Sequence, residues 1–177
     1  RGVPPMGGGS DEMGRYRAVL RSAMLKQALA DSGVPDVTNV WCHEVGSSRM
    51  LHGVAINQRY PGHAKQAGHI AAQCHATNYA NKYIVVVDDD IDIYDERQVL
   101  WAISTHFEAD KGLAVIPNAM GAHLNPSAYG EVRHEKGPMN TKFVIDATRP
   151  ATLEFVVRIR PHKETWDRIR LDEYIDK

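Results

Sequence analysis

The stretch that most limits the fold is Tyr83 to Val87 (YIVVV), five consecutive apolar or aromatic residues. A strand with one wet face alternates polar and apolar side chains. An unbroken run of this kind belongs inside a sheet that is covered on both faces. Helical patterns flank the run. Gly62 to Ala80 is rich in alanine, and Asp95 to Phe107 repeats Val99, Ile103 and Phe107 at helical spacing. Asp95 and Gln98 are spaced for a capping box. A further helix is expected over Arg15 to Ser32, with Val19, Ala23, Leu25 and Leu29 on one face and Gly33 and Pro35 as the stop. Strands are expected at Val37–Glu44 and Met50–Gln58, joined by a Gly46-Ser47-Ser48 turn, and at Leu113–Ile116 and Phe143–Ile145. Thr165 to Ile175 reads as a last, charged helix. Strands separated by helices predict an α/β fold, a layered α/β/α sandwich with a mixed sheet.

Composition narrows the function. The chain has 177 residues, of which 43% are hydrophobic and 24% charged, which suits one domain with a sizeable core. A net charge of −1 argues against general nucleic-acid binding, which needs a cationic surface. Cys42 and Cys74 are too few for a disulfide framework and read as free thiols in a reducing cytoplasm. No apolar run reaches the ~18 residues of a membrane span. The opening RGVPPMGGGSDE reads as a linker. The expected division is a linker or hinge over 1–14, a domain over 15–160, and a C-terminal helix over 161–177 that makes an oligomer contact.

Three motifs carry chemistry. Asp88, Asp89, Asp90 and Asp92 follow the apolar strand, where open α/β sheets place their ligands. They could hold Mg²⁺ or Mn²⁺, as a glycosyl or nucleotidyl transferase would need, but acidic residues before a helix more ordinarily cap free backbone N–H groups or form interdomain salt bridges. In YPGHAK, Pro61-Gly62 makes a turn and Lys65 falls in the first turn of a helix. That end already favours an anion, so a cation there points to a ligand such as phosphate. His63 reads either as a ligand or as a packed side chain, and His69 and His75 read as structural or surface residues. In IPNAMGAHLNPSAYG, His123 and Asn125 offer hydrogen bonds while Ala122 and Leu124 offer apolar wall, the mix of a small aromatic pocket.

Four of these segments, QRYPGHAKQAGHIA, KYIVVVDDDIDIYDERQVLWAIST, IPN…LNPSA and KFVIDATRP, occur in the order found in the C-terminal half of the UbiD family. The chain resembles that family from Val3 to Pro150. The resemblance implies reversible, non-oxidative decarboxylation of an aromatic or heteroaromatic carboxylic acid, releasing CO2, with prenylated FMN as cofactor. It implies that the Arg-Glu-Glu/Asp catalytic network and the Mn²⁺ and K⁺ ligands lie in an N-terminal flavin-binding region of the same protein, with no catalytic or metal-binding residue in this stretch. It assigns Lys65 to the cofactor phosphate, and Ala122, His123, Leu124 and Asn125 to the substrate. The aspartate run then becomes structural, and the assembly a homodimer or homohexamer. An alternative is an assembly or gating subunit without activity of its own. Two departures from the family pattern, Ser104-Thr105-His106 and Arg149 after Thr148, are expected to lie outside the pocket.

Overall fold

The computed structural model describes residues 11–123, 125, 127, 139–151 and 162–168. Its elements run α1 (Asp11–Asp31), β1 (Val37–Cys42), β2 (Leu51–Ile56), α2 (His63–Gln73), β3 (Tyr83–Asp88), α3 (Glu96–His106), the short α4 (Ala109–Gly112), β4 (Leu113–Met120), β5 (Met139–Ala147) and α5 (Lys163–Arg168). The rest of the expected C-terminal helix, and residues 1–10 of the expected linker, lie outside the described residues. Helix α1 starts four residues before the expected Arg15. Glu12 in the first turn suits the positive end of the helix.

The five strands form one mixed sheet in the order β1-β2-β3-β5-β4. β2, β3 and β5 run parallel, and β1 and β4 are antiparallel edges. The YIVVV run is the central strand, and Ile84 to Val87 are at most 1% exposed. Its side chains alternate between two cores. Ile84 and Val86 pack with Leu25 and Leu29 of α1 and the alanines of α2. Val85 and Val87 pack with Ile91, Ile93 and, from α3, Val99 and Ala102. Helices therefore cover both faces, and the α/β/α layering is as expected.

Several local expectations differ from the structure. On α1 the buried face is Ala18, Ser22, Leu25 and Leu29, while Val19 is 58% exposed and Ala23 is also outward. Spacings of four, three and four keep the buried set on one stripe, and Val19 sits about 100° away from it. Helix α2 stops at Gln73 rather than Ala80. Beyond it, Thr77 and Asn81 donate to Ala71 O, and Asn81 and Lys142 donate to Ala72 O, so distant side chains take the last carbonyls. Strand β4 runs on through Pro117, with a register shift between Ile116 and Ala119. An edge strand tolerates a residue without an N–H. At α3, Asp95 caps Arg97 N at 2.9 Å, but Gln98 Oε1 accepts from Asp92 N rather than from Asp95 N, so the capping box is only half formed.

Candidate functional site

The carboxyl ends of β2, β3 and β5 meet the start of α2, and two adjoining hollows of about 280 and 320 Å³ open there. Both are lined by Gln58, Pro61 and Arg149. Gly62 is the N-cap of α2 at φ +89, a left-handed conformation that favours glycine, and it brings no side chain to cap the helix. His63 N donates to Tyr60 O at 3.1 Å, and the N-cap supplies no side-chain acceptor for the other first-turn N–H groups. Lys65 and Lys111 are both exposed and line one of these hollows.

The rim is held by hydrogen bonds between strand ends. Gln58 Nε2 donates to Thr148 Oγ1 at 2.7 Å, and Thr148 donates through N and Oγ1 to Asp146 Oδ1 at 3.1 and 2.6 Å. Asp88 Oδ2 accepts from Arg149 N and Nε at 2.8 and 3.0 Å, and Asp90 Oδ1 accepts from Arg149 Nη2 at 3.1 Å. Burial pushes the Asp88 carboxyl up from its ordinary value, and the Arg149 N–H groups and charge only partly offset this. Asp92 accepts from Tyr94 N, and Asp95 caps α3. The acidic run thus shapes the loop after β3 and holds Arg149. Among the described residues, no group of three or more His, Cys, Asp or Glu is placed to hold a metal ion.

His106 and Arg149, from the two departures from the family pattern, line the cleft together with Lys65. His106 Nδ1 donates to Ala147 O at 3.3 Å, stands 3.9 Å from Asp88 Oδ2, and its ring meets Trp101 edge-on. His106 ends α3 and Arg149 lies two residues beyond β5, so both fall at one edge of the sheet, which the sequence shows only once the strand order is known. His63 is fully buried; its Nε2 donates to Pro35 O at 3.0 Å and its Nδ1 accepts from Arg59 N at 3.3 Å. Both ring nitrogens are engaged with backbone, so His63 fixes the turn before α2. His69 and His75 are exposed.

The structure does not bring the Ala122–Asn125 loop to this cleft. Met120 pairs with Met139 at the start of β5, the end of the parallel strands remote from Lys65. Ala122 is 1% and Asn125 2% exposed, and Asn125 Oδ1 accepts from Ser127 N and Oγ. Lys82, just before β3, donates to Ser127 Oγ. His123 faces solvent, and Leu124 lies outside the described residues.

Residues 16–147 match the 3-octaprenyl-4-hydroxybenzoate carboxy-lyase C-terminal domain. The chain belongs to the UbiD family. It is 40% identical over 105 residues to anhydromevalonate phosphate decarboxylase of Aeropyrum pernix, covering 59% of this chain and 22% of that protein. It is 33% identical over 108 residues to phenolic acid decarboxylase of Sedimentibacter hydroxybenzoicus, covering 58% and 21%. The UbiD-class enzyme HmfF of Pelotomaculum thermopropionicum, solved in complex with FMN, superposes with a TM-score of 0.74 at 31% identity, covering 89% of this chain and 33% of that one. An evolved dimeric form of HmfF in complex with prFMN gives 0.65 at 27% identity, covering 89% and 30%. The UbiD chain described here therefore spans about a fifth of these curated relatives and a third of the solved one. No helix among its described residues is long and apolar enough to cross a membrane.

Proposed function

We propose that this chain is the part of a prenylated-FMN decarboxylase that holds the cofactor's phosphate and closes one side of its site. The observation that carries the reading is the start of α2, which no side chain caps, with Gly62 left-handed and Lys65 in the first turn, at the carboxyl ends of the sheet's parallel strands. These residues fit a phosphate: the backbone donors and the helix dipole need an anion, and the Lys65 ammonium adds a charge-assisted bond. When bound, the flavin supplies the electron sink for breaking the carbon–carboxylate bond; CO2 leaves and a proton takes its place. Gln58, Thr148 and Arg149 keep the strand ends in place around the phosphate. The acid–base network, and any Mn²⁺ and K⁺ ligands, belong by this reading to a preceding region of the same protein. Turnover by this chain alone, supplied with cofactor, would contradict it.

The acid is aromatic or heteroaromatic by this reading, in line with the similarity to a phenolic acid decarboxylase. A second substrate class, an acid that itself bears a phosphate, is favoured by the similarity to anhydromevalonate phosphate decarboxylases and by Lys111, a further cation on the cleft. His123 is the loop residue left to meet a substrate from another part of the assembly. The assembly-or-gating alternative predicts no phosphate contact at all. Lys65→Ala in the complete enzyme decides between them. Loss of one charge-assisted phosphate bond costs about 1.5–3 kcal/mol, so cofactor affinity falls roughly tenfold or more. Unchanged flavin absorbance in the purified variant would overturn the cofactor reading.

A further inference from the structure

At the end of the sheet opposite the cleft lie two arginines that pair with no acid among the described residues. Arg21 is on α1, and Arg49 lies just before β2. Both are half-buried, and Arg21 Nη1 and Arg49 Nε are enclosed with no hydrogen-bond acceptor. None of the ion pairs among the described residues involves either of them. Burial first, then the charges of Arg49 and Arg17, lower the Arg21 pKa from its ordinary value. The nearby Cys42 thiol carries no compensating negative charge. Burial pushes the Cys42 thiol up to about 11, so it is neutral at physiological pH.

The pair is nevertheless held in place. Arg49 packs its guanidinium 5.9 Å from the centroid of the Tyr79 ring. Its backbone carbonyl accepts from His52 Nε2 at 2.7 Å. A carbonyl only accepts, so Nε2 carries the hydrogen, and the neutral ring takes the Cys42 thiol at Nδ1, 3.3 Å away. Burial lowers the His52 pKa to about 4, which keeps that ring neutral. Enclosed guanidinium N–H groups without acceptors cost free energy that a native structure normally recovers through a partner. Each guanidinium offers the fork of donors that a planar or tetrahedral oxyanion takes up, and the two charges are close enough to act on each other.

We propose that Arg21 and Arg49 form a binding site for an oxyanion, the phosphate or carboxylate group of a small molecule, separate from the cofactor cleft. Thermal melting of the full chain in chloride buffer is compared with the same ionic strength made up with inorganic phosphate, and with acetate. Phosphate is expected to raise Tm by about 2–4 °C, the response to roughly 1 kcal/mol in a domain of this size. A comparable rise with acetate assigns the site to carboxylates as well; a rise with phosphate alone restricts it to phosphate. The rise is expected to persist in Lys65→Gln, which removes the cation of the cleft, and to vanish in Arg21→Gln and Arg49→Gln. In chloride, Arg21→Gln is expected to melt no lower than wild type, because it removes an uncompensated charge. If Arg49→Gln fails to fold, Arg21→Gln alone decides. The proposal is overturned by an absent phosphate response in wild type, or by a response that survives Arg21→Gln. A change of oligomeric mass in Arg21→Gln without any anion response also overturns it, because the acceptor would then be a carboxylate of a second copy.

Discussion

Asp88 accepts from both the backbone N–H and Nε of Arg149, which ties the carboxyl end of β3 to the residue two beyond the end of β5. The Asp88 side chain is 7% exposed and that of Arg149 36%, so removing the guanidinium leaves a nearly buried carboxylate without its charge partner, held on that side by the backbone N–H alone. Arg149→Ala should cost about 2–4 kcal/mol at neutral pH, somewhat below the figure for fully buried pairs because the arginine is partly solvated. The sign of the pH dependence follows from the raised Asp88 pKa. The folded state holds that proton more tightly than the unfolded one, so the penalty is present above the folded pKa and fades as pH falls through it. Urea denaturation at neutral and mildly acidic pH checks this. A deficit of Arg149→Ala that does not shrink on acidification, or that Asp88→Asn fails to relieve, would show that the pair is not what holds these strand ends.

Lys142 is fully buried on β5 and donates to Ala72 O and Asn78 O at 2.8 and 2.7 Å, beyond the end of α2. Those bonds and the negative end of the helix favour its charge, but burial outweighs them and lowers its pKa from 10.5 to about 8. Between these two values the unfolded chain binds the extra proton. Stability should therefore rise with pH from about 8 to 10, by about 1–2 kcal/mol, and the cost of the buried charge is complete below that window. In Lys142→Met the rise should be absent. Denaturation curves across that range for both proteins measure it, and parallel pH profiles would refute it.

The layered fold was legible because YIVVV admits few other settings, and the structure places it at the centre of the sheet. The early end of α2 was not legible. The carbonyls that would have continued the helix are taken by Asn81 and by Lys142, the latter about seventy positions away, and no local pattern carries that information. Lys65 could be read as an anion contact because a cation at a helix start is locally unfavourable. That His106 and Arg149 share its cleft depends on strand order, as does the placement of the Ala122–Asn125 loop at the far end. Antiparallel pairing of β4 with β5 sends that loop away from the strand ends that carry Lys65.

Two glycines of α2 and its turn serve different needs. An added methyl at Gly68 would overlap Val144 Cγ1 and lie 3.3 Å from Val86 Cγ2, so the bare backbone is what lets α2 lie against β3 and β5. Gly62 has open space around it but a φ of +89. Gly68→Ala should destabilise by about 1–3 kcal/mol through overpacking, and part of this should return in Gly68→Ala/Val144→Ala. Gly62→Ala should cost about 1–2 kcal/mol from backbone strain, with no rescue by Val144→Ala. Chemical denaturation of the four variants separates the two causes; equal rescue of both alanines would merge them.

The far loop tests whether substrate contacts extend beyond the cleft. Ala122 is enclosed, so Ala122→Phe has to displace its neighbours, and about 1–3 kcal/mol of stability should be lost. His123 is exposed, so His123→Ala should leave stability within about 0.5 kcal/mol of wild type. If His123 meets substrate in the complete enzyme, kcat/KM should fall for acids that bear a ring hydroxyl or ring nitrogen, while plain aromatic acids keep theirs. The loss should amount to about 1–3 kcal/mol where a buried polar partner is left unpaired. A phosphorylated acid belongs in the same panel, paired with Lys111→Ala, which should depress that substrate selectively if the cleft takes its phosphate. Uniform losses across the panel, or none, would remove His123 from substrate selection and leave the cleft of Lys65 as the only substrate-facing surface proposed for this chain.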